Sequence, residues 1–210
     1  RGKNTAKAKQ LVEQIARKYL VNGADIILLA CTEPAVMLKD VDIPKINTLD
    51  VLVNAVIDKL FDLDPQEFEN FIAHVLSLIG FQAAATEYVG DKGIDVVGNL
   101  NAEGLADIVL KIQVKRIKGS VGIVEVQRTR GTLSADEHGA YVTLSSFTKE
   151  AEREAQAEKK KPIALIDGKG LVGLILKYYD GLEEKYKQLL PLKKKEVPLE
   201  DHFVFIGKEV

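Results

Sequence analysis

The residues best suited to chemistry lie in two short stretches, Gly90-Asp91-Lys92-Gly93-Ile94-Asp95 and Ile112-Gln113-Val114-Lys115-Arg116. In the first, two glycines and Asp91 form a tight turn, and Asp95 opens a strand that is otherwise apolar. In the second, side chains alternate along a strand. Gln113 and Lys115 therefore share one face while Ile112 and Val114 point the other way. If the two strands pair as a hairpin, Asp95, Gln113 and Lys115 converge. The Asp95 carboxylate, the Gln113 amide oxygen and the Val114 carbonyl then offer oxygen ligands to magnesium, which prefers oxygen and keeps several waters. A cation beside a phosphodiester stabilises added charge and lowers the pKa of an attacking water. The Lys115 ammonium can orient that water or neutralise the phosphate. Glu69, on the helix before these strands, can hold a water of the ion. Each feature alone has a plainer reading: a Gly-rich turn ending in Asp, a lysine on a solvated strand face, a glutamate on a surface helix. The ordered set is what points to phosphodiester chemistry.

The elements that must position this set are legible from residue 62 onward. Asp64 caps a helix with Pro65 at its first position. Phe68, Phe71, Ile72, Val75, Leu76 and Ile79 recur at helical spacing, and Gly80 stops the helix. Three strand candidates follow, Phe81 to Tyr88, Ile94 to Leu100 and Asp107 to Ile117, with Gly and Asn turns between them. Their short connections predict an antiparallel meander. The pattern then predicts a helix over 121–134 and a short buried strand, Ala140 to Leu144. A polar helix over 148–160 comes next, with Glu150 and Glu152 early and Lys159 and Lys160 late, which suits its dipole. A last strand, Ile163 to Ile166, a turn at Asp167-Gly168 and a helix over about 170–190 complete the pattern. Strands separated by helices favour parallel pairing, so the expected sheet is mixed and flanked by helices.

With these motifs in order, residues 65–178 resemble the Mrr-like restriction endonuclease domain, a branch of the PD-(D/E)XK nuclease superfamily. The likeness rests on Phe68-Glu69, Gly80-Phe81, Gly90 to Asp95 and Gln113 to Arg116. It continues through Gly139-Ala140, Phe147-Thr148 within Thr143 to Ala151, and Ile166-Asp167-Gly168. The resemblance implies that Asp95 and Gln113 bind metal and that Lys115 is catalytic, with Glu69 at the helix position. Gln113 stands where the superfamily more often has Glu, as is typical of this branch. That exchange removes a negative charge, so weak metal affinity is expected. The implied activity is a magnesium- or manganese-dependent DNA endonuclease of type IV restriction or DNA-repair type. DNA is the implied partner, and phosphate contacts are expected from Arg116, Lys118, Arg128 and Arg130. A reading of another class stays open: a catalytically inactive DNA-binding or protein-interaction module on the same fold.

The first sixty residues read differently. An amphipathic helix over 3–21 carries Leu11, Ile15, Ala16, Tyr19 and Leu20 on one stripe, and Asn22-Gly23 ends it. Ile26 to Ala30 predicts a strand covered on both faces. Pro34 suits a first helical position, Ile43 to Ile46 a second strand, and Thr48 the cap of a helix over 50–61. With Cys31-Thr32-Glu33, residues 10–60 resemble the C-terminal part of the aspartate/glutamate racemase family, in which this motif supplies one of two catalytic cysteines. Racemisation needs a base on each face of the substrate, and the chain holds one Cys. The segment is therefore read as a relic, a fusion fragment or a docking module, with amino-acid binding at the Cys31 loop as a further hypothesis. The expected fold class is α/β. A small racemase-like α/β fragment (1–61) precedes a restriction-endonuclease-like mixed sheet flanked by helices (62–180) and a tail (181–210) of no assigned role.

Composition sets the outer bounds. Hydrophobic residues make up 46% and charged residues 29% of the 210, enough to bury a core. A net charge of -2 excludes a chain that is cationic as a whole, so any DNA contact must be local. No apolar run is long enough to span a bilayer. No signal-peptide pattern is present, and the opening Arg suggests a truncated or processed start. One Cys excludes an internal disulfide and suits a reducing compartment, so a cytoplasmic location is expected. His74, His138 and His202 lack metal-ligand spacing. A double-strand cut usually requires two active centres, which leaves a homodimer open.

Overall fold

The computed structural model describes residues 2–30, 32–86, 93–104, 106–190 and 192. The expected strand residues Glu87 and Tyr88, the turn residues Gly90 to Lys92, Cys31 and Phe203 to Ile206 lie outside these.

The helix α4 (Pro65–Ile79) forms as its end signals dictate. Asp64 accepts from the Glu67 N–H at 2.8 Å, and Gly80 closes the helix at φ 113°. Its buried face, Phe68, Phe71, Ile72, Val75 and Leu76, packs on one side of a five-stranded sheet. That sheet runs β3 (Gln82–Ala85), β4 (Val96–Asn101), β5 (Asp107–Lys115), β6 (Glu137–Thr143) and β7 (Ile163–Ile166) in spatial order. The first three strands are antiparallel, and β5, β6 and β7 are parallel. The expected mixed sheet is thus present.

The parallel half is built from crossovers through α5 (Ile123–Gly131) and α6 (Lys149–Ala155). These helices bury Val121, Val126, Ala151 and Ala155 with Tyr141 and Ile163. The opposite face carries Val96, Ile112, Val114, Ala140 and Val142 against α4 and α7 (Gly168–Lys177). The α6 helix ends at Ala155, five residues early, so Lys159 and Lys160 lie beyond its C-terminus rather than in its last turn. Asp167 is not a plain turn residue. It caps α7, accepting from the Gly170 N–H at 2.7 Å. The expected long helix over 170–190 is three pieces: α7, a 3-10 turn at Tyr179–Gly181, and α8 (Glu184–Leu189). Tyr186 of α8 folds back onto Phe71, with ring centroids 4.9 Å apart.

The N-terminal residues form α1 (Gly2–Val21), β1 (Ile27–Leu29), α2 (Thr32–Met37), β2 (Lys45–Asn47) and α3 (Thr48–Phe61). The strands β1 and β2 are parallel, and a small cluster of Ala16, Leu29, Ala35, Leu38, Val41 and Ile43 packs beside them. The expectation that this apolar strand is covered on both faces fails. Leu28 is 61% exposed beside its partner Ile46, because a two-stranded sheet with its cluster on one side leaves the other open. The cap of α3 is Asn47, not Thr48: its side chain accepts from the Leu49 N–H, while the Thr48 hydroxyl donates to the Leu29 carbonyl. The inner face of α3, Val53, Val56 and Leu60, joins the main core rather than the small cluster. No helix among the described residues is long and apolar enough to cross a membrane.

Candidate active site

Asp95 is held by its backbone on both sides. Its N–H donates to the Ile112 carbonyl and its carbonyl accepts from the Thr86 N–H, each at 2.9 Å. The Thr86 hydroxyl adds a bond to the Ile94 carbonyl at 2.8 Å. The register Val96↔Ile112 puts Asp95 directly across from Gln113, on one face of the β4–β5 pair. Gln113 Nε2 donates to Asp95 Oδ2 at 2.7 Å, and the Val114 N–H donates to the same oxygen at 2.6 Å. The Asp95 side chain thus takes a strand N–H at the point where β4 has no backbone carbonyl to offer.

Gly93 completes the local geometry. Its φ of +88° belongs to glycine, and a Cβ there would stand 2.8 Å from Gln113 Oε1. The Gly93 backbone lies close beside the amide that faces Asp95.

The charges around this pair are poised against one another. Burial pushes the Asp95 carboxyl above the usual carboxylate range, and the Val114 N–H, the Gln113 amide and the Lys115 ammonium only partly pull it back. Glu69, half-buried on α4, is also raised. Burial is the larger cause, then the negative charge of Asp95, with Arg116 opposing and Asp64 adding. Lys115, on the exposed end of β5, is near enough for its charge to act on Asp95. The fold therefore brings Asp95, Gln113, Lys115 and Glu69 into one electrostatic neighbourhood.

Two carboxylates and an amide oxygen are hard donors of the kind magnesium or manganese takes. Burial raises both carboxyls, and the Asp95 charge raises Glu69 further. Among the described residues no group of three His, Cys, Asp or Glu could hold a metal, so the amide or a main-chain carbonyl must complete any such set.

A family model for restriction endonucleases, Mrr_cat, matches residues 60–175. The chain belongs to this restriction endonuclease family. The type IV methyl-directed restriction enzyme EcoKMrr of Escherichia coli (strain K12) is 29% identical over 143 residues, 65% of this chain and 46% of that enzyme. The chain thus spans less than half the length of this relative. The DNA modification-dependent restriction endonuclease AspBHI shares its fold, with a TM-score of 0.54 at 22% identity over 69% of this chain and 38% of its own. The MspJI restriction endonuclease, solved with a 27-mer oligonucleotide, aligns at a TM-score of 0.49 and 24% identity over 68% of this chain and 34% of its own.

Within this restriction-endonuclease fold the four expected phosphate-gripping cations divide sharply. The Arg116 guanidinium donates to the Phe61 carbonyl at 3.0 Å and to the Leu63 carbonyl, and lies 6.0 Å from the centre of the Phe68 ring. Arg130 donates to the Lys161 carbonyl at 2.7 Å and the Glu154 carbonyl at 2.6 Å, and pairs with the Glu154 carboxylate. Both are occupied inside the fold. Arg128, 75% exposed, pairs with Glu125 at 3.5 Å, and Lys118 is exposed beyond β5.

One residue of this face escaped the sequence reading. The parallel register sets Tyr141 of β6 beside Gln113, on the flank away from Asp95. Read as part of a buried strand, it gave no chemical signal. Its phenol is pushed up to about 12, by burial first and then by the charges of Glu125 and Asp95.

Proposed function

We propose that this chain carries the catalytic part of a metal-dependent DNA endonuclease that hydrolyses phosphodiester bonds, of the type IV restriction or DNA-repair kind. The observation that carries it is the Asp95–Gln113 contact at 2.7 Å, with Lys115 two residues along the same strand face. In this reading Asp95 and Gln113 hold magnesium or manganese, assisted by Glu69. A divalent cation there supplies charge stabilisation and a more acidic water. The backbone bonds from Thr86 and to Ile112 hold the Asp95 carboxylate in place before substrate arrives, so its alignment costs nothing at the moment of reaction. The lack of a side chain at Gly93 leaves the Gln113 amide room to sit there. Lys115 neutralises charge developing on the phosphate or orients the attacking water. Contact with the DNA backbone falls to the exposed Lys118 and Arg128, because Arg116 and Arg130 have internal partners. DNA is the proposed partner, and two copies of the chain are needed if both strands are cut in one encounter.

The test is cleavage of supercoiled plasmid with magnesium or manganese by wild type and by Lys115→Ala. Cutting by the wild type alone is expected. Equal cutting by both removes Lys115 from the reaction. The rival reading, a DNA-binding module without activity, draws on the missing charge at Gln113. Tight DNA binding with no cleavage under either metal favours it.

For residues 1–61 we propose a docking or fusion module attached to the nuclease domain at 62–180, with the racemase-like pattern of residues 10–60 as its origin. The α/β order and the parallel β1–β2 pair support that reading. The lone Cys argues against racemisation. Calorimetry with aspartate and glutamate is expected to show no heat.

A further inference from the structure

We propose that Thr86 is a positioning residue for the reaction, its hydroxyl fixing the peptide that leads into Asp95 and so aiming the Asp95 carboxylate. The proposal rests on the nuclease reading above and adds to it a side chain that acts from behind the proposed metal ligand.

The backbone at Asp95 carries the argument. Ala85 pairs with Val96 at the end of β3, and Thr86 stands opposite Asp95 one step further. In a regular antiparallel pair both backbone groups of a residue face the same neighbour. At Asp95 they part. Its N–H goes to Ile112 on β5, and its carbonyl accepts from the Thr86 N–H. The carbonyl just before it, that of Ile94, is left out of the ladder, and among the described residues no backbone N–H reaches it. The Thr86 hydroxyl does, donating to it at 2.8 Å.

Thr86 thus spans Asp95 with two donors. Its hydroxyl holds the carbonyl on one side and its N–H the carbonyl on the other, at 2.9 Å. The peptide before Asp95 is pinned at its far end as well, by the Asp95 N–H bond to Ile112 at 2.9 Å. A peptide is planar, so bonds at both ends fix its tilt. With the planes on both sides of the Asp95 Cα set, the direction of the side chain is set too. That direction brings Oδ2 to the Gln113 amide at 2.7 Å and the Val114 N–H at 2.6 Å.

The residue type fits the task. Threonine is stiff at χ1, so the hydroxyl is held ready for the carbonyl. Valine has nearly the same shape and no donor. With valine, the carbonyl of Ile94, a residue 6% exposed, loses its partner and must tilt to find another. Asp95 tilts with it.

The test uses the full chain and compares Thr86→Val and Thr86→Ser with the wild type. Thr132→Val is the control, because the Thr132 hydroxyl also donates to a main-chain carbonyl, that of Thr129 at 2.7 Å, at the C-terminus of α5. Thr86→Val is expected to lower the single-turnover cleavage rate about 10-fold or more. It should also raise, by about 10-fold, the calcium concentration that gives half of the calcium-induced rise in melting temperature. Thr86→Ser should restore both, and Thr132→Val should change neither, even where its melting temperature falls. A merely structural hydroxyl would leave the calcium midpoint of Thr86→Val at the wild-type value. That result overturns the proposal, and so does a wild-type cleavage rate. If Thr86→Val does not fold, Thr86→Cys is set against Thr86→Ser. A thiol is a weak donor, so the cysteine variant must be the slower, and equal rates overturn the proposal. Cleavage by the wild type that is lost in Lys115→Ala and untouched in Thr86→Val sinks this inference and leaves the nuclease reading standing. No cleavage by the wild type sinks both.

Discussion

Replacing Gly93 by Ala tests how the amide of the proposed site is held. The substitution adds one methyl group, outside the core and far from any charge change. Two costs follow from the structure. The backbone at φ +88° disfavours any side chain, by about 1–2 kcal/mol. The methyl also falls 2.8 Å from Gln113 Oε1, roughly half an ångström inside ordinary contact, with Gln113 Cδ at 3.7 Å and Nε2 at 3.9 Å. The turn cannot easily retreat, because the residues just beyond it, Ile94 and Asp95, are bonded to Thr86 and Ile112. Gln113 must give way, and its 2.7 Å bond to Asp95 lengthens or breaks. Displacements of this size in a reacting constellation cost on the order of 10- to 100-fold in rate. The expected result is a modest fall in melting temperature and a large fall in metal-dependent plasmid cleavage. Placing Gly93→Ala on top of Gln113→Ala should cost little further activity, since the displaced group is already gone. Wild-type cleavage by Gly93→Ala would refute the idea that the position of the Gln113 amide matters. Fully additive losses in the double variant would show that Gly93 acts by another route.

Other outcomes are expected from the same geometry. Glu69→Gln removes a carboxylate whose charged form is disfavoured by burial and by the Asp95 charge, so the metal-free protein should melt slightly higher at pH 8, while the rise in melting temperature on adding calcium should shrink. An unchanged calcium response would detach Glu69 from the cation. Glu154 is held below the usual carboxylate range, chiefly by Lys160 and then by Arg130 against the opposing effect of burial. A depressed folded pKa gives stability that is present above the unfolded value and lost as pH falls through the folded one. Glu154→Gln should therefore lower the melting temperature at pH 7, and the difference from wild type should shrink as pH falls below the usual carboxylate range. A difference that does not shrink there would mean packing, not charge, holds Arg130.

Much of the site was legible because strand alternation is a local rule. Gln113 and Lys115 share a face by spacing alone, and the Gly-rich turn before Asp95 announces a strand start, so their approach needed only the pairing of neighbouring strands. The caps at Asp64 and Gly80 are local for the same reason. What escaped depends on contacts distant in sequence. Arg116 and Arg130 look like free cations until Phe61, Leu63, Glu154 and Lys161 come beside them. The cap of α3 moved from Thr48 to Asn47 because the Thr48 hydroxyl is taken by Leu29. Tyr141 joins the row only through a parallel pairing that a crossover helix imposes. The break between α7 and α8 has a tertiary cause as well, since Tyr186 leaves the helical path to pack on Phe71.

Arg116 follows Lys115 directly, and its guanidinium grasps the corner where α3 turns into α4. One peptide unit therefore joins the amine of the proposed site to the corner that leads back to the preceding segment. A force that twists α3 is delivered to that amine through a stiff, two-pronged clasp and not through a slack loop. Whatever seizes the first sixty residues has a short lever on the proposed site.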